Sequence, residues 1–154
     1  MWRIGYQGNG CDRNHAHKHK PGDLWFPEEE MSDEDMDKIL AADDSKVDVI
    51  LAHDKPRGSN PQWNRKDLEE CWPNQDRLQK AVQVLDPEFF LHGHLHFWYE
   101  DMVMHSGEGS GEPHVTHVLG LNCDPAAGGY VGYDKESSHL CIDTADLKAG
   151  RLYS

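Results

Sequence analysis

Two short apolar runs, each ending in histidine, constrain this chain more than any other feature. Val47-Asp48-Val49-Ile50-Leu51 leads into Ala52-His53-Asp54, and Glu88-Phe89-Phe90-Leu91-His92 leads into Gly93-His94-Leu95-His96. A brief β-branched or aromatic run between helical segments reads as a strand buried in an α/β layer. In open α/β sheets, ligands bind just beyond the carboxyl ends of such strands. Neutral imidazole is the commonest protein ligand for a metal. His94 and His96 are two residues apart, so in extended backbone their side chains point the same way. Gly93 before them allows a sharp turn or a close backbone approach. With 11 histidines in 154 residues, an isolated H-x-H pattern would carry little weight. Placement at the ends of two buried strands makes His53, His94 and His96 candidate metal ligands.

The segments around these runs read as helices. Ser32 suits an N-cap, and Asp35 three residues on completes a capping box with Asp in place of Glu. Asp33 and Glu34 favour the positive start of the helix dipole. Met36, Ile39 and Leu40 supply one apolar face, and fraying is expected at Asp43–Asp44. Pro56, Gly58, Pro61 and Pro73 mark residues 56–73 as loop, after which Asn74 is the expected cap of a second helix. Leu78, Val82 and Leu85 lie on one helical face, and Pro87 ends it. A strand is expected at Trp2–Tyr6, inside an otherwise irregular Gly- and His-rich stretch covering residues 1–30. Beyond His96 the pattern turns to β, with strands expected at Phe97–Met104, His114–Asn122 and His139–Thr144 and Gly-rich loops at 106–113 and 125–132. Helix and strand in alternation, then strands in series, predict an α/β layered sandwich in one domain.

Charge and cysteine usage narrow the partners and the compartment. The formal net charge of -13 repels phosphate backbones and no basic stripe interrupts it, which argues against a duplex nucleic-acid partner. It does not exclude a phosphate substrate, because bound divalent cations reverse the local sign. Cys11, Cys71, Cys123 and Cys141 form no C-x-x-C pair, so reduced, mostly buried thiols are the simplest expectation. No apolar signal core follows Met1 and no apolar run reaches membrane-spanning length. The expectation is a soluble, cytoplasmic protein with no membrane partner.

Other features carry two readings each. His15, His17 and His19 alternate in HAHKHK and could share a metal, although a solvated tract beside basic residues explains them better. Glu28-Glu29-Glu30 reads as solvated acidic charge. Trp25, Phe26, Trp63 and Trp72 could line a pocket or pack a minor core. Residues 106–113 could be a lid or a plain connector.

The pair of motifs, apolar strand then Ala-His-Asp-x-Pro and apolar strand then Gly-His-x-His, resembles the calcineurin-like metallophosphoesterases. LWFPEEEMSDEDMDKIL looks like the Trp-containing acidic approach to a helix in phage and bacterial members, and HVTHVLGLNCD and HLCIDTADL are similar to closing strands of the family. The resemblance runs from about residue 20 onward. It implies a partial calcineurin-like sandwich of mixed sheets flanked by helices. It also implies two divalent cations (manganese, iron or zinc) that clamp a phosphoester and generate the attacking hydroxide. His53 and His94 would then ligate one metal and His96 the other, with Asp54 as an outer partner orienting an imidazole.

The chain also departs from that pattern. The Asp-x-His, Gly-Asp-x-x-Asp and Gly-Asn-His-Glu/Asp motifs of the full site do not occur, and Asn14-His15 matches only two residues of the last. The bridging carboxylate and the general acid are therefore missing, and no catalytic residue is assigned. The resemblance thus casts residues 1–154 as the C-terminal part of a metallophosphoesterase domain. Its partners would be a phosphoester substrate and the missing N-terminal half or a second copy. The alternatives are a catalytically incomplete remnant, a split-half module, or a mononuclear site on His53, His94 and His96. A half-domain should also leave the apolar faces of Val47–Leu51 and Phe89–Leu91 without part of their cover.

Overall fold

A computed structural model describes residues 4–6, 31–41, 47–61, 71–95, 97–106 and 113–121. In chain order the elements are β1 (Ile4–Tyr6), α1 (Asp33–Leu40), β2 (Val49–Ala52), α2 (Trp72–Leu85), β3 (Phe89–His92), β4 (Tyr99–Ser106) and β5 (Pro113–Gly120). The strands form one sheet in the order β1-β2-β3-β5-β4. β1, β2, β3 and β5 run parallel, and β4 pairs antiparallel with β5. Parallel neighbours require a crossover, which α2 supplies between β2 and β3. This is the mixed, helix-flanked α/β layer that the sequence predicts.

α1 begins as its residues dictate. Ser32 is extended at the N-cap, the Asp35 N–H donates to Ser32 Oγ at 3.1 Å, and the Ser32 N–H donates to Asp35 Oδ2 at 3.3 Å. The helix stops at Leu40, where the Ala41 N–H donates to the Asp37 carbonyl at 2.8 Å, earlier than the expected fraying point. α2 differs more from expectation. Its cap position is Cys71, not Asn74, and Trp72 and Pro73 open the helix. Proline lacks an N–H that the first turn would leave unpaired anyway, so the helix can begin before it. Asn74 is consequently drawn inside the first turn and buried. At the other end Asp86 caps α2 in left-handed conformation, φ 48°, just before Pro87.

The hairpin is also displaced from the expected bounds. β4 and β5 pair along their whole length, from Tyr99 opposite Gly120 to Ser106 opposite Pro113. Residues 106 and 113 are thus facing strand ends, and residues 107–112 lie outside the described set. Also outside it are the expected strand His139–Thr144, the HAHKHK tract, His96 and three of the four cysteines.

The core lies between the sheet and its helices. Alternation along β2 and β3 sends Ile50 and Phe90 to one face and Val49 and Phe89 to the other. The first face gathers Met31 and Met36 from the α1 side, Leu78 and Val82 from α2, and Tyr99, Val103 and Val118 from the hairpin. Fully burying such a side chain contributes about 1.5–3 kcal/mol, so this cluster anchors both helices. The second face gathers Val49 and Phe89, with Leu51 and Leu91 packed against them. Of the apolar residues in 47–51 and 89–91 expected to lack part of their cover, Val47, Leu51 and Leu91 are half-buried. Val49, Ile50, Phe89 and Phe90 are all buried. Among the described residues, the large exposed apolar side chains lie on the hairpin instead: Met102, Met104 and Val115 are 63%, 72% and 42% exposed. Met102 and Met104 lie on β4, which has a neighbouring strand on one side only, and Val115 lies on β5 ahead of His117, where its pairing with β3 begins.

Candidate metal centre

Parallel pairing of β2 with β3 sets the centre. The register puts Ala52 beside His92, and the Gly93 N–H donates to the His53 carbonyl at 3.1 Å. Both strands therefore release their next residues at the same sheet edge. The chain then turns sharply. The Leu95 N–H donates to the Gly93 carbonyl at 2.7 Å, with His94 between them at φ 61°. The turn expected from Gly93 is thus made by His94. Left-handed backbone at a non-glycine residue costs on the order of 1–3 kcal/mol and persists where surroundings impose it, often at functional sites. Here it swings the His94 ring toward β2.

The two imidazoles meet there. His53 Nε2 lies 3.1 Å from His94 Nδ1, with the rings edge to face and their centroids 5.0 Å apart. Two nitrogens held about 2.0–2.1 Å from one cation, at angles between octahedral and tetrahedral, lie roughly 2.9–3.4 Å apart. The observed spacing falls inside that interval, so the two nitrogens, which here meet at hydrogen-bond distance, are close enough to share one cation. His53 is exposed, which leaves the pair open to solvent. His96 lies outside the described residues.

Asp54 stands behind this pair, fully buried. Its Oδ1 accepts the Lys55 N–H at 2.7 Å, and Gln75 Nε2 donates to Oδ2 at 3.3 Å. The Lys55 ammonium is buried as well and donates to the Ser59 carbonyl at 2.9 Å. Asp54, Lys55 and Gln75 thus tie the loop after β2 to the first turns of α2. Asp54 also belongs to a tight donor group. Its carboxylate, the Cys71 thiol and a His94 ring nitrogen all lie within 4.8 Å of one another.

Two residues of this region escaped the sequence reading. His92 is 2% exposed and shares the helix-covered face with Phe90. Its Nδ1 lies 3.0 Å from the Gly93 carbonyl, which can only accept, so Nδ1 carries the proton and Nε2 accepts from the Tyr99 hydroxyl. Burial lowers the His92 pKa to about 3, keeping the ring neutral. Tyr99 also meets Ser59 Oγ at 3.2 Å, and Ser59 donates to Asp101 at 3.0 Å, which pins the loop carrying Lys55 onto β4. Strand alternation from Phe90 could have placed His92 inside. Cys71 was read only as one of four spaced thiols. Nothing local marks it as a site residue, because it meets Asp54 and His94 through the fold. Trp72, read as pocket or core, is half-buried and lies under the Arg57 guanidinium, 3.8 Å from the ring centroid.

No family model matches the chain. The lariat debranching enzyme of Caenorhabditis elegans is 33% identical over 87 residues, covering 49% of this chain and 17% of that protein. The lariat debranching enzyme of Caenorhabditis briggsae is 30% identical over 100 residues, covering 55% of this chain and 20% of that protein. This chain therefore spans a fifth or less of the curated relatives it matches. Among the described residues, no helix is long and apolar enough to cross a membrane. Over about half of its length the chain is similar to lariat debranching enzymes, which are calcineurin-like metallophosphoesterases.

Proposed function

We propose that this chain is the metal-binding second half of a phosphoesterase site, acting in the hydrolysis of phosphoesters. The observation that carries the proposal is the His53–His94 pair, 3.1 Å apart at the carboxyl edge of two parallel strands. Likeness to lariat debranching enzymes favours a phosphodiester over a monoester and divalent cations as cofactors. Under this reading His53 and His94 hold one cation, His96 faces a second, and Asp54 stands beside the first. The cations supply Lewis-acid activation of the phosphoryl group and of the attacking water. This chain's residues orient them: the left-handed turn at His94 aims one ring, and the Gly93–His53 hydrogen bond holds the two strand ends together.

The bridging carboxylate and the general acid come, in this proposal, from residues outside this segment, because their motifs do not occur in it. A longer chain, a partner chain or a second copy could provide them. The likeness to phage and bacterial members belongs to the same proposal.

The test titrates manganese into the chain and follows hydrolysis of an aryl phosphodiester. Cation binding that is lost in His53→Ala and His94→Ala, with negligible turnover, is the expected result. Robust turnover by the 154 residues alone would overturn the half-site reading. Binding unchanged by both substitutions would overturn the metal reading itself.

A further inference from the structure

We propose that Asp54, Cys71 and His94 form a thiolate-containing cation site selective for a zinc-type metal over magnesium or manganese. The proposal rests on the metal reading of this sheet edge and adds to it a donor set and a metal preference. Three elements converge on the site. Asp54 follows β2, His94 follows β3, and Cys71 occupies the cap position of α2. Their ligand atoms are mutually within 4.8 Å, and Asp54 and Cys71 are 0% and 2% exposed. Neighbouring ligands around a tetrahedral zinc stand about 3.3–3.8 Å apart, so closure needs movements of about an ångström.

Charge and chemistry favour the assignment. A carboxylate, a thiolate and a neutral imidazole carry two negative charges, which one divalent cation neutralises. The start of α2 presents a partial positive charge that favours anionic donors. A thiolate is a soft donor that suits zinc and disfavours magnesium and manganese. His94 belongs to two donor sets, the pair with the exposed His53 and the triad with the buried Asp54 and Cys71.

Packing is the competing account of a buried cysteine, which serves elsewhere as a small apolar residue. A spectroscopic test separates the two. Cobalt(II) is titrated into the purified chain and the near-ultraviolet sulfur-to-cobalt charge-transfer band is recorded. The band is expected in the wild type and absent in Cys71→Ser and Cys71→Ala, with circular dichroism confirming that the variants fold. Zinc affinity should fall in both by more than the roughly 10–100-fold typical of lost outer partners. His53→Ala should keep the band. X-ray absorption of the zinc-loaded wild type should report one sulfur at about 2.3 Å, which needs no variant. A band that survives in Cys71→Ser would assign the sulfur to another cysteine and overturn the proposal. Cobalt bound in a His53-dependent way without any band would overturn it while leaving the phosphoesterase reading intact. No cobalt binding at all would overturn both.

Discussion

The sheet carries histidines at both ends, and the two ends treat them differently. At the carboxyl edge of β2 and β3, His53 and His94 bring ring nitrogens together at 3.1 Å across a left-handed turn. At the opposite edge His105 and His114 face each other across the β4–β5 hairpin with stacked rings. There Asp86 reaches His114 Nδ1 at 2.7 Å, and His105 Nε2 lies 3.0 Å from Thr116 Oγ1. Thr116 in turn donates to the Pro87 carbonyl at 2.7 Å. The second cluster closes the end of α2 onto the hairpin and is structural. Proximity of imidazoles does not separate the two clusters. The strand end on which they sit does, because only at the carboxyl edge do loops leave parallel strands toward a shared cleft.

The largest effect that could break this comparison is on cation binding. His94→Ala should weaken binding of zinc or manganese by more than about 100-fold, since lost outer partners alone cost about 10–100-fold. His114→Ala should leave binding within a few-fold of the wild type, as measured by calorimetric titration. Equal losses in both variants would mean that neither end is special.

That contrast was legible in the sequence at one end only. The runs VDVILAHD and FFLHGHLH placed His53 and His94 at strand ends, because period and apolar content are local signals. The capping box of α1 was readable for the same reason. The start of α2 was not, because Pro73 read as loop and Asn74 as the cap, while tertiary packing of Leu78 and Val82 set the phase and moved the cap back to Cys71. Cys71 beside Asp54 was invisible, since they are 17 positions apart in sequence (71 − 54) and meet only once α2 docks on the sheet. The second histidine cluster was hidden too, because it depends on the hairpin register that pairs His105 with His114.

Two glycines sharpen the comparison at the level of packing. Gly120 lies opposite Tyr99, and a Cβ there would collide with the Tyr99 ring. That ring holds His92 and Ser59, so its displacement would disturb the support of the metal edge. Gly120→Ala should cost about 1–3 kcal/mol, the usual range for overpacking. A Cβ at Gly93 would meet nothing within 4 Å. Gly93→Ala should therefore stay within about 0.5 kcal/mol of the wild type. Urea unfolding of the pair decides it, and a Gly93→Ala cost as large as that of Gly120→Ala would show that the turn needs glycine after all.

His105 makes a smaller, pH-dependent claim on the far end. Thr116 gives its proton to the Pro87 carbonyl, so His105 Nε2 must be the donor to Thr116. Its Nδ1 is then bare, buried and without a hydrogen-bond partner. Burial lowers the pKa of His105 below its ordinary value of about 6.5, against the pull of Asp86. The unfolded chain therefore takes up the proton first, and stability falls as pH drops below about 6.5 toward the folded-state pKa. His105→Leu should flatten that part of the stability profile relative to the wild type. An unchanged slope would show that the ring is not held neutral.

The smallest effect expected is at Asp86, where charge and backbone roles can be separated. Asp86 sits at φ 48°, a conformation that asparagine also tolerates, so Asp86→Asn keeps the helix end and removes only the charge. What it removes is a partly exposed pair, with the His114 and Asp86 side chains 33% and 35% exposed. Such pairs contribute about 0.2–1 kcal/mol, and here the His114 Nδ1–H can donate to the Asp86 carboxylate at 2.7 Å. Asp86→Asn should therefore be slightly destabilising, by no more than about 1 kcal/mol, with cation affinity unchanged. The measurement is the urea midpoint, with a zinc titration alongside. A change in zinc affinity would carry more weight than any change in midpoint. It would mean that the N-terminal edge of the sheet feeds back on the His53–His94 pair through β3 and β5, and the two ends could no longer be treated as independent.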